Sequence, residues 1–413
     1  MEQLGFAIAV LCLIALCIYV LCKALQPAKH ITRRDGTPND EKSTLSDPYH
    51  DIEPLRNFDW STTEPIKIRP FKPKYHLTMA LEHCPLSELV AIDNTYLERM
   101  QIRKSVMDQH PKETYQCYEP CVPAVMEMYE WIFGTYLPRR FPTMYRLFDS
   151  SYIPADTKST ASFLYNIPAG KYIALRAATA EEALYTLGYH VDDDILILLP
   201  LSTAPDGLPI YHLQAYVCCF PSGFRTDEKI SLPLASIHSP VPGYKAKLEK
   251  SMDKFFAKLE LGKAVRRVNW SITTNDLLYS QGGNHLYSGG KMDSGVSAET
   301  SSSSKPVGGG NAKTLDVDAP DVEQKIEQQK KDVVVENCRL RCERQTLHRL
   351  PNTKALVFMF KTYQYKLEDL KAEGSGPELA EAIPGLGQGS VPDMAFYKRG
   401  VVWGDKVVEY LRS

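Results

Sequence analysis

Between Leu4 and Cys22 the chain runs for about 19 residues without a charged side chain, long enough as a helix to cross nearly all of a bilayer's hydrocarbon core. No other stretch constrains the fold as strongly, because it decides where the remaining chain must fold. A cleaved signal peptide would open on a basic leader and carry a shorter apolar core ending in small residues. Here the leader is Met1-Glu2-Gln3, and the basic residues Lys23, Lys29, Arg33 and Arg34 follow the span. This arrangement predicts a transmembrane signal anchor over residues 1–25. By the positive-inside bias the body then faces the cytosol, with the endoplasmic reticulum as the expected membrane.

The body is large enough for one or two domains with real cores: 413 residues, 44% of them apolar. Net charge is −2, and no run of Lys and Arg is long enough to hold a nucleic acid. Of ten cysteines, three (Cys12, Cys17, Cys22) lie in the apolar span. The others form no CxxC pair: Cys117/Cys121 and Cys338/Cys342 are CxxxC, and Cys218-Cys219 are adjacent. That spacing suits neither a zinc site nor a disulfide scaffold, and predicts reduced thiols in cores.

Residues 26–65 are polar and read as a linker. The stretch Leu86–Gln109 has helical spacing, with Leu89, Ile92, Tyr96 and Leu97 on one face. Pro123–Leu137 reads as a second, buried helix stopped by LPRRFP. Thr179–Gly188 is a third, with Thr179 as its cap and Glu181 and Glu182 in its first turn. Strands are expected at Ile195–Leu201, Tyr211–Phe220, Ala264–Ile272, Val333–Leu350 and Ala355–Tyr365. Five hairpin-like strands with one inserted helix predict an α+β fold, an antiparallel sheet with helices on one side. A Gly/Ser-rich insert at 280–320 reads as a mobile loop and splits the last two strands from the rest. Residues 372–413 read as a Gly/Pro-rich segment, then a helix over Met394–Leu411.

One histidine is framed by prolines: His238, in Ile237-His238-Ser239-Pro240-Val241-Pro242-Gly243-Tyr244. Proline fixes φ and biases its predecessor to extended geometry, so the ring is expected on a stiff loop between a strand and the helix Tyr244–Leu261. A metal or haem ligand needs such a mount. The late strand RLRCERQTLHRLP is chemically odd for a core. Alternation puts Arg341, Glu343, Gln345 and Leu347 on one face, and Leu340, Cys342, Arg344 and Thr346 on the other. Buried charges need partners or a ligand, whereas on an edge strand they would simply be solvated. Arg266, Arg267, Asn269 and Trp270 pose the same question. A rival is His190-Val191-Asp192 with His212 or His238, the ligand pattern of non-haem iron oxygenases. Lys245 and Lys247 stand where that pattern wants an arginine, and Asp192-Asp193-Asp194 reads as a solvated turn. No GxGxxG, GxxxxGK[ST], GxSxG or HExxH is present, and no DxD-and-nucleotide architecture supports a membrane-anchored glycosyltransferase.

The ordered string IRPFKPKYHLTMAL, IDNTYLERM, LPRRFPTMY, VCCFPSGF, IHSPVPGYKAKLEKSMDKFF, VRRVNW and RCERQTLHRLPNTKALVFMFKTY resembles the haem-dependent oxidative N-demethylase-like family. That family includes proteins like the α-subunit of dimethylamine monooxygenase and membrane-anchored fungal members. The resemblance covers about Ile66 to Leu370, broken by the Gly/Ser insert, and places the domain at 66–371. It implies a PAS-like antiparallel sheet with packed helices, behind the transmembrane helix. It also implies haem b, dioxygen, and oxidation of a carbon next to nitrogen in a small amine, releasing an N-methyl group as formaldehyde through a carbinolamine.

On that resemblance His238 is the expected axial ligand to iron. Arg341 and Arg266 are expected cofactor contacts, and Glu343, Arg344 and Gln345 expected catalytic groups, with Asp93, Tyr96 and Asn269 as further candidates. A buried Glu would hold a cationic amine, and Arg would pair with the haem propionates. The chain carries no reductase module, so a separate reductase on the cytosolic face would deliver the electrons. A PAS-like haem sensor without turnover is the alternative of a different class, since fold does not fix function.

Overall fold

The computed structural model describes residues 47–148, 162–286 and 322–413. The expected anchor and most of the Gly/Ser-rich insert lie outside the described residues. Among those residues, no helix is long and apolar enough to cross a membrane.

Along the chain the strands are β1 (Glu82–Cys84), β2 (Tyr115–Cys117), β3 (Tyr145–Phe148), β4 (Phe163–Asn166) and β5 (Lys171–Ala174), then β6 (Asp194–Thr203), β7 (Pro209–Val217), β8 (Ala264–Thr273), β9 (Arg339–Arg349) and β10 (Leu356–Lys366). They form a seven-stranded antiparallel sheet in the order β1-β8-β9-β10-β6-β7-β2 and a three-stranded sheet β3-β4-β5. The fold is α+β, as expected. The first and last of the five long strands, β6 and β10, lie side by side at the centre. The aromatic and β-branched residues of β10 suit a pleated sheet, and its register with β9 runs without slip from Leu356↔Arg349 to Lys366↔Arg339. This central pairing fixes which face each charge of β9 occupies.

Helices cover both faces, not one. On the first face lie α1 (Tyr96–Gln109), α2 (Val122–Trp131) and α3 (Ala180–His190), closing a core with Ile195, Ile197, Val217 and Met359. Thr179 caps α3, its hydroxyl accepting from Glu182 N at 3.2 Å. The helical run does end within LPRRFP, at Arg140, but it is not uniform: α2 passes through a π-turn at Ile132–Tyr136 into a last turn at Leu137–Arg140. Pro138 lacks an N–H and would clash with the carbonyl of Gly134 in a regular helix, which the wider turn avoids. Residues 89–95 are not helical. The part of the expected linker from Asp47 onward packs on the body, with Tyr49 buried and its carbonyl accepting from Trp131 Nε1 at 2.8 Å.

The Asp192–Asp194 run, expected as a solvated turn, is buried on this first face. Lys361 Nζ lies 2.7 Å from Asp93 and 3.2 Å from Asp192, and donates to Ala91 O at 2.9 Å. Arg103 pairs with Asp194 at 2.8 Å, while Asp194 accepts from Cys219 N at 2.7 Å and Phe220 N at 2.8 Å. These pairs weld α1 to the start of β6 and to the loop after β7.

The second face carries α4 (Leu234–His238) and α5 (Glu249–Lys258), which pack on β7. Helix is not continuous from Tyr244 to Leu261; it breaks at Leu248 between Tyr244–Lys247 and α5. A strap over residues 75–81 completes this face. Tyr75, Leu77, Met79 and Leu81 turn inward, alternating with exposed His76, Thr78 and Ala80. The strap is held by the segment expected to be irregular, which instead contains α6 (Gly376–Gly385) packed on α7 (Gly400–Arg412). Tyr75 N donates to Gly385 O at 3.0 Å, and Ser390 N donates to Tyr75 O at 3.1 Å. A Cβ on Gly385 would overlap the Pro73 carbonyl, and one on Gly389 that of Tyr75. Glycine is therefore required for this close approach.

Candidate functional site

Between the second face and its cover lies a cavity of about 300 Å³. Alternation along the strands supplies its floor: Val265, Arg267 and Asn269 from β8, Glu343, Gln345 and Leu347 from β9, and Phe358 and Phe360 from β10. Leu196 and Leu198 of β6 and Leu213 of β7 extend it. A register shift between Ile197 and Leu198 lets Leu198 sit opposite Leu213. Leu248, Met252 and Phe256, at and within α5, form one wall and the strap another. Most of this lining is apolar, so a polar group inside it meets little competition from water.

His238 enters this space from the C-terminal end of α4, a helix end where an open loop was expected. Its Nδ1 is 2.9 Å from Leu234 O. A carbonyl only accepts, so Nδ1 carries the proton and the Nε2 lone pair is free. Tyr244 stacks on the ring, centroids 5.0 Å apart and planes within 17°. The turn that brings Tyr244 back uses Gly243 at φ +74°, with Val241 N donating to His238 O at 2.9 Å. The imidazole is half-buried on the cavity wall, and desolvation there lowers its pKa to about 4. At neutral pH it is a neutral imidazole with fixed tautomer and fixed ring plane.

Positive charge converges on the same space. Lys229 has no ion pair among the described residues; its Nζ lies 4.4 Å from the Phe224 ring centroid, and burial lowers its pKa to about 8. Arg267 makes no hydrogen bond or ion pair among the described residues, its buried Nε is unpartnered, and burial lowers its pKa. Lys398 is 4% exposed and donates to Asn269 Oδ1 at 3.1 Å and to Trp270 O. Burial lowers it to about 8, while Glu343 works in the opposite direction. Glu343 is the carboxylate among the cavity-lining residues. Its Oε2 accepts from Gln345 Nε2 at 2.9 Å and Asn269 Nδ2 at 3.4 Å, leaving Oε1 without a partner among the described residues. His285 also lines the cavity, and burial lowers its pKa to about 3.

The structure therefore brings together His238, Glu343, Gln345 and Asn269. Arg341 shares their face but lies beyond the cavity, 1% exposed, donating to Phe220 O at 2.7 Å and to Leu277 O at 3.1 Å. Arg344 sits on the opposite face, donating to Leu89 O at 2.9 Å and to Glu88 O. Arg266 borders the cavity, but its guanidinium turns to Glu88 at 2.8 Å and Glu82 at 3.4 Å. Asp93 is held by Lys361. Tyr96 belongs to a separate buried chain, 2.8 Å from Tyr145 Oη and accepting from Asn166 Nδ2 at 2.8 Å. The rival iron pair is committed elsewhere too: Asp192 pairs with Arg99 and Lys361, and His190 Nδ1 is 3.4 Å from Asn166 Nδ2. His212 bonds Ser202 at 2.8 Å, outside the cavity.

Sequence reasoning named Arg267 only as part of the VRRVNW puzzle, although its alternation with Asn269 already placed the two on one face. Lys229 and Lys398 carried no local signal, because each reaches the cavity from a loop or helix end.

A family model described as haem-dependent oxidative N-demethylase, alpha subunit-like, matches residues 80–408. No curated protein matches the chain.

Proposed function

The chain belongs to the haem-dependent oxidative N-demethylase, alpha subunit-like family, and from that premise we propose that it is an oxidoreductase holding haem b through His238 and oxidising an amine-bearing small molecule. The observation that carries this reading is the neutral imidazole whose Nδ1 is tied to Leu234 O and whose Nε2 is free in an apolar cavity. The residues present fit the group. A porphyrin brings four of its own nitrogens to iron, so one protein imidazole suffices. Its flat apolar body suits walls of Leu, Met and Phe, and its two carboxylates suit Lys229 and Arg267, which form no ion pair among the described residues. Held through this imidazole, haem would supply an iron able to activate dioxygen, tuned by the surrounding polar groups.

Glu343 is the group we assign to the substrate. Gln345 and Asn269 fix one carboxylate oxygen, and Lys398 in turn fixes Asn269, so Oε1 is presented to the cavity in one orientation. A carboxylate so placed holds an ammonium, or takes its proton so that the nitrogen lone pair is released. The apolar walls exclude water from the reacting carbon. Arg341 and Arg344 hold the floor of the cavity through backbone carbonyls on either side of β9, and Arg266 ties β8 to the Glu82 and Glu88 region. We read the sheet as PAS-like, which the central placement of β6 beside β10 and the helical cover between β7 and β8 support. The apolar stretch Leu4–Cys22 and the basic residues behind it support an anchored, fungal-type member with its body on the cytosolic side of the endoplasmic reticulum, fed by a separate reductase.

The test is an absorbance spectrum of the full chain after expression with haem precursor. A Soret band that shifts with dithionite and carbon monoxide is expected, and His238→Ala should lose it while its circular dichroism stays unchanged. A pigment-free wild-type protein refutes the haem reading; a pigmented His238→Ala refutes the ligand.

A further inference from the structure

The outer side of α5 carries an unbalanced stripe of charge. Between Tyr244 and Lys263 the chain has six lysines against three carboxylates. Lys250, Lys254 and Lys258 recur at intervals of four residues, which places them on one face of α5, Lys247 stands just before the break at Leu248, and all four are exposed. None forms an ion pair among the described residues. Of the carboxylates, Glu260 pairs with Lys263 at 2.6 Å, and Asp253 has its pKa raised by burial and then by the neighbouring Glu249. The opposite side of the same helix is the cavity wall, through Met252 and Phe256.

Resting on the haem reading above, we propose that this lysine stripe is the docking surface for an acidic electron-donor protein. Oxidation at an N-methyl carbon inserts one oxygen atom of O₂ into a C–H bond. The other atom leaves as water with two protons and two electrons, and the resulting N–CH₂OH breaks to an N–H and formaldehyde. No group among the described residues supplies those electrons repeatedly; the donor in this proposal is a reduced flavoprotein, which delivers them and is oxidised in turn. A donor seated on the stripe is separated from the cavity by one helix, roughly 10–12 Å across with its side chains. Opposite charge on the donor speeds encounter and sets orientation. A bilayer is a poorer occupant. Met252 and Phe256 of α5 are turned into the cavity and Phe255 packs partly buried against the core, so the lysine-bearing face offers little of the apolar edge by which an interfacial helix seats itself in lipid.

The probe is flavodoxin, a small acidic flavoprotein, with the haem-loaded full chain. Binding is measured by calorimetry at low and high salt, and reduction of the Soret band by stopped flow with flavodoxin hydroquinone. We expect binding and reduction to fall about tenfold or more with salt, and equally when K247E, K250E, K254E and K258E are combined. The corresponding four-fold Lys→Gln variant should fall between, and reduction by dithionite should not change. Binding and reduction by flavodoxin unchanged in the four-fold Glu variant overturn the proposal. So does a variant that loses only its binding to phosphatidylserine/phosphatidylcholine vesicles, which would give the stripe to a membrane. A missing Soret band appears before any donor is added and sinks the haem reading instead, while the calorimetry still decides the docking surface.

Discussion

His348 offers the sharpest measurable consequence of how this sheet is buried. It lies on β9 with none of its surface exposed, 5.5 Å from the Trp131 ring, and neither ring nitrogen has a hydrogen-bond partner among the described residues. Burial alone lowers its pKa from 6.5 to about 3. In the unfolded chain the same imidazole takes up a proton as pH falls through 6.5. Between pH 6.5 and about 3 the unfolded state thus binds one more proton than the folded state, and stability drops on acidification. At pH 4.5 this one residue costs about 2.7 kcal/mol relative to neutral pH, at 1.36 kcal/mol per unit. His348→Leu removes the titration and keeps an apolar side chain in the gap. At pH 7.5 the variant gains about 1–3 kcal/mol from losing two unsatisfied polar atoms, less up to about 1.5 kcal/mol for imperfect packing. Urea unfolding at pH 7.5 and 4.5 is the assay. The stability difference between variant and wild type should widen by roughly 2–3 kcal/mol at the lower pH. Parallel losses in the two proteins would refute the assignment of that acid sensitivity to His348.

Two further perturbations follow from buried contacts. Lys361→Met leaves Asp93 and Asp192 facing each other without their shared ammonium, and should cost about 3–5 kcal/mol in urea unfolding, where a loss under about 1 kcal/mol would contradict the pairing. Gly389→Ala puts a Cβ into the Tyr75 carbonyl and must displace the strap. Limited proteolysis should then cut between Pro73 and Leu81, where the wild type resists, and equal cleavage rates would show that the strap is not pinned there.

Much of the body was legible because periodicity is local. Each of the five long strands was visible as an apolar or alternating run, and the charges of β9 marked it as unusual before its position was known. What a run of residues does not encode is the partner across the sheet. Arg341 and Glu343 share a face, yet only the twist of the sheet and the Phe220–Pro221 loop decide that one props a loop while the other meets the cavity. Asp192–Asp194 looked like a solvated turn because the cations that bury it, Arg99, Arg103 and Lys361, come from a helix and a strand distant in sequence. Gly376–Gly385 was misread for a related reason. Glycine and proline usually mark irregular chain, but here Pro377 sits in the first turn, where it suits a helix, and Gly385 is demanded by the neighbouring strap.

The crossing of the strap by α6 and its following loop fixes an order of assembly. Residues 75–81 precede the groups that clamp them, Gly385 to Ser390, by about three hundred positions in the chain. Until that later portion is made and folds, the space behind the strap has no outer wall. The cavity is therefore widest before α6 and its loop have docked, and their docking is the step that closes it.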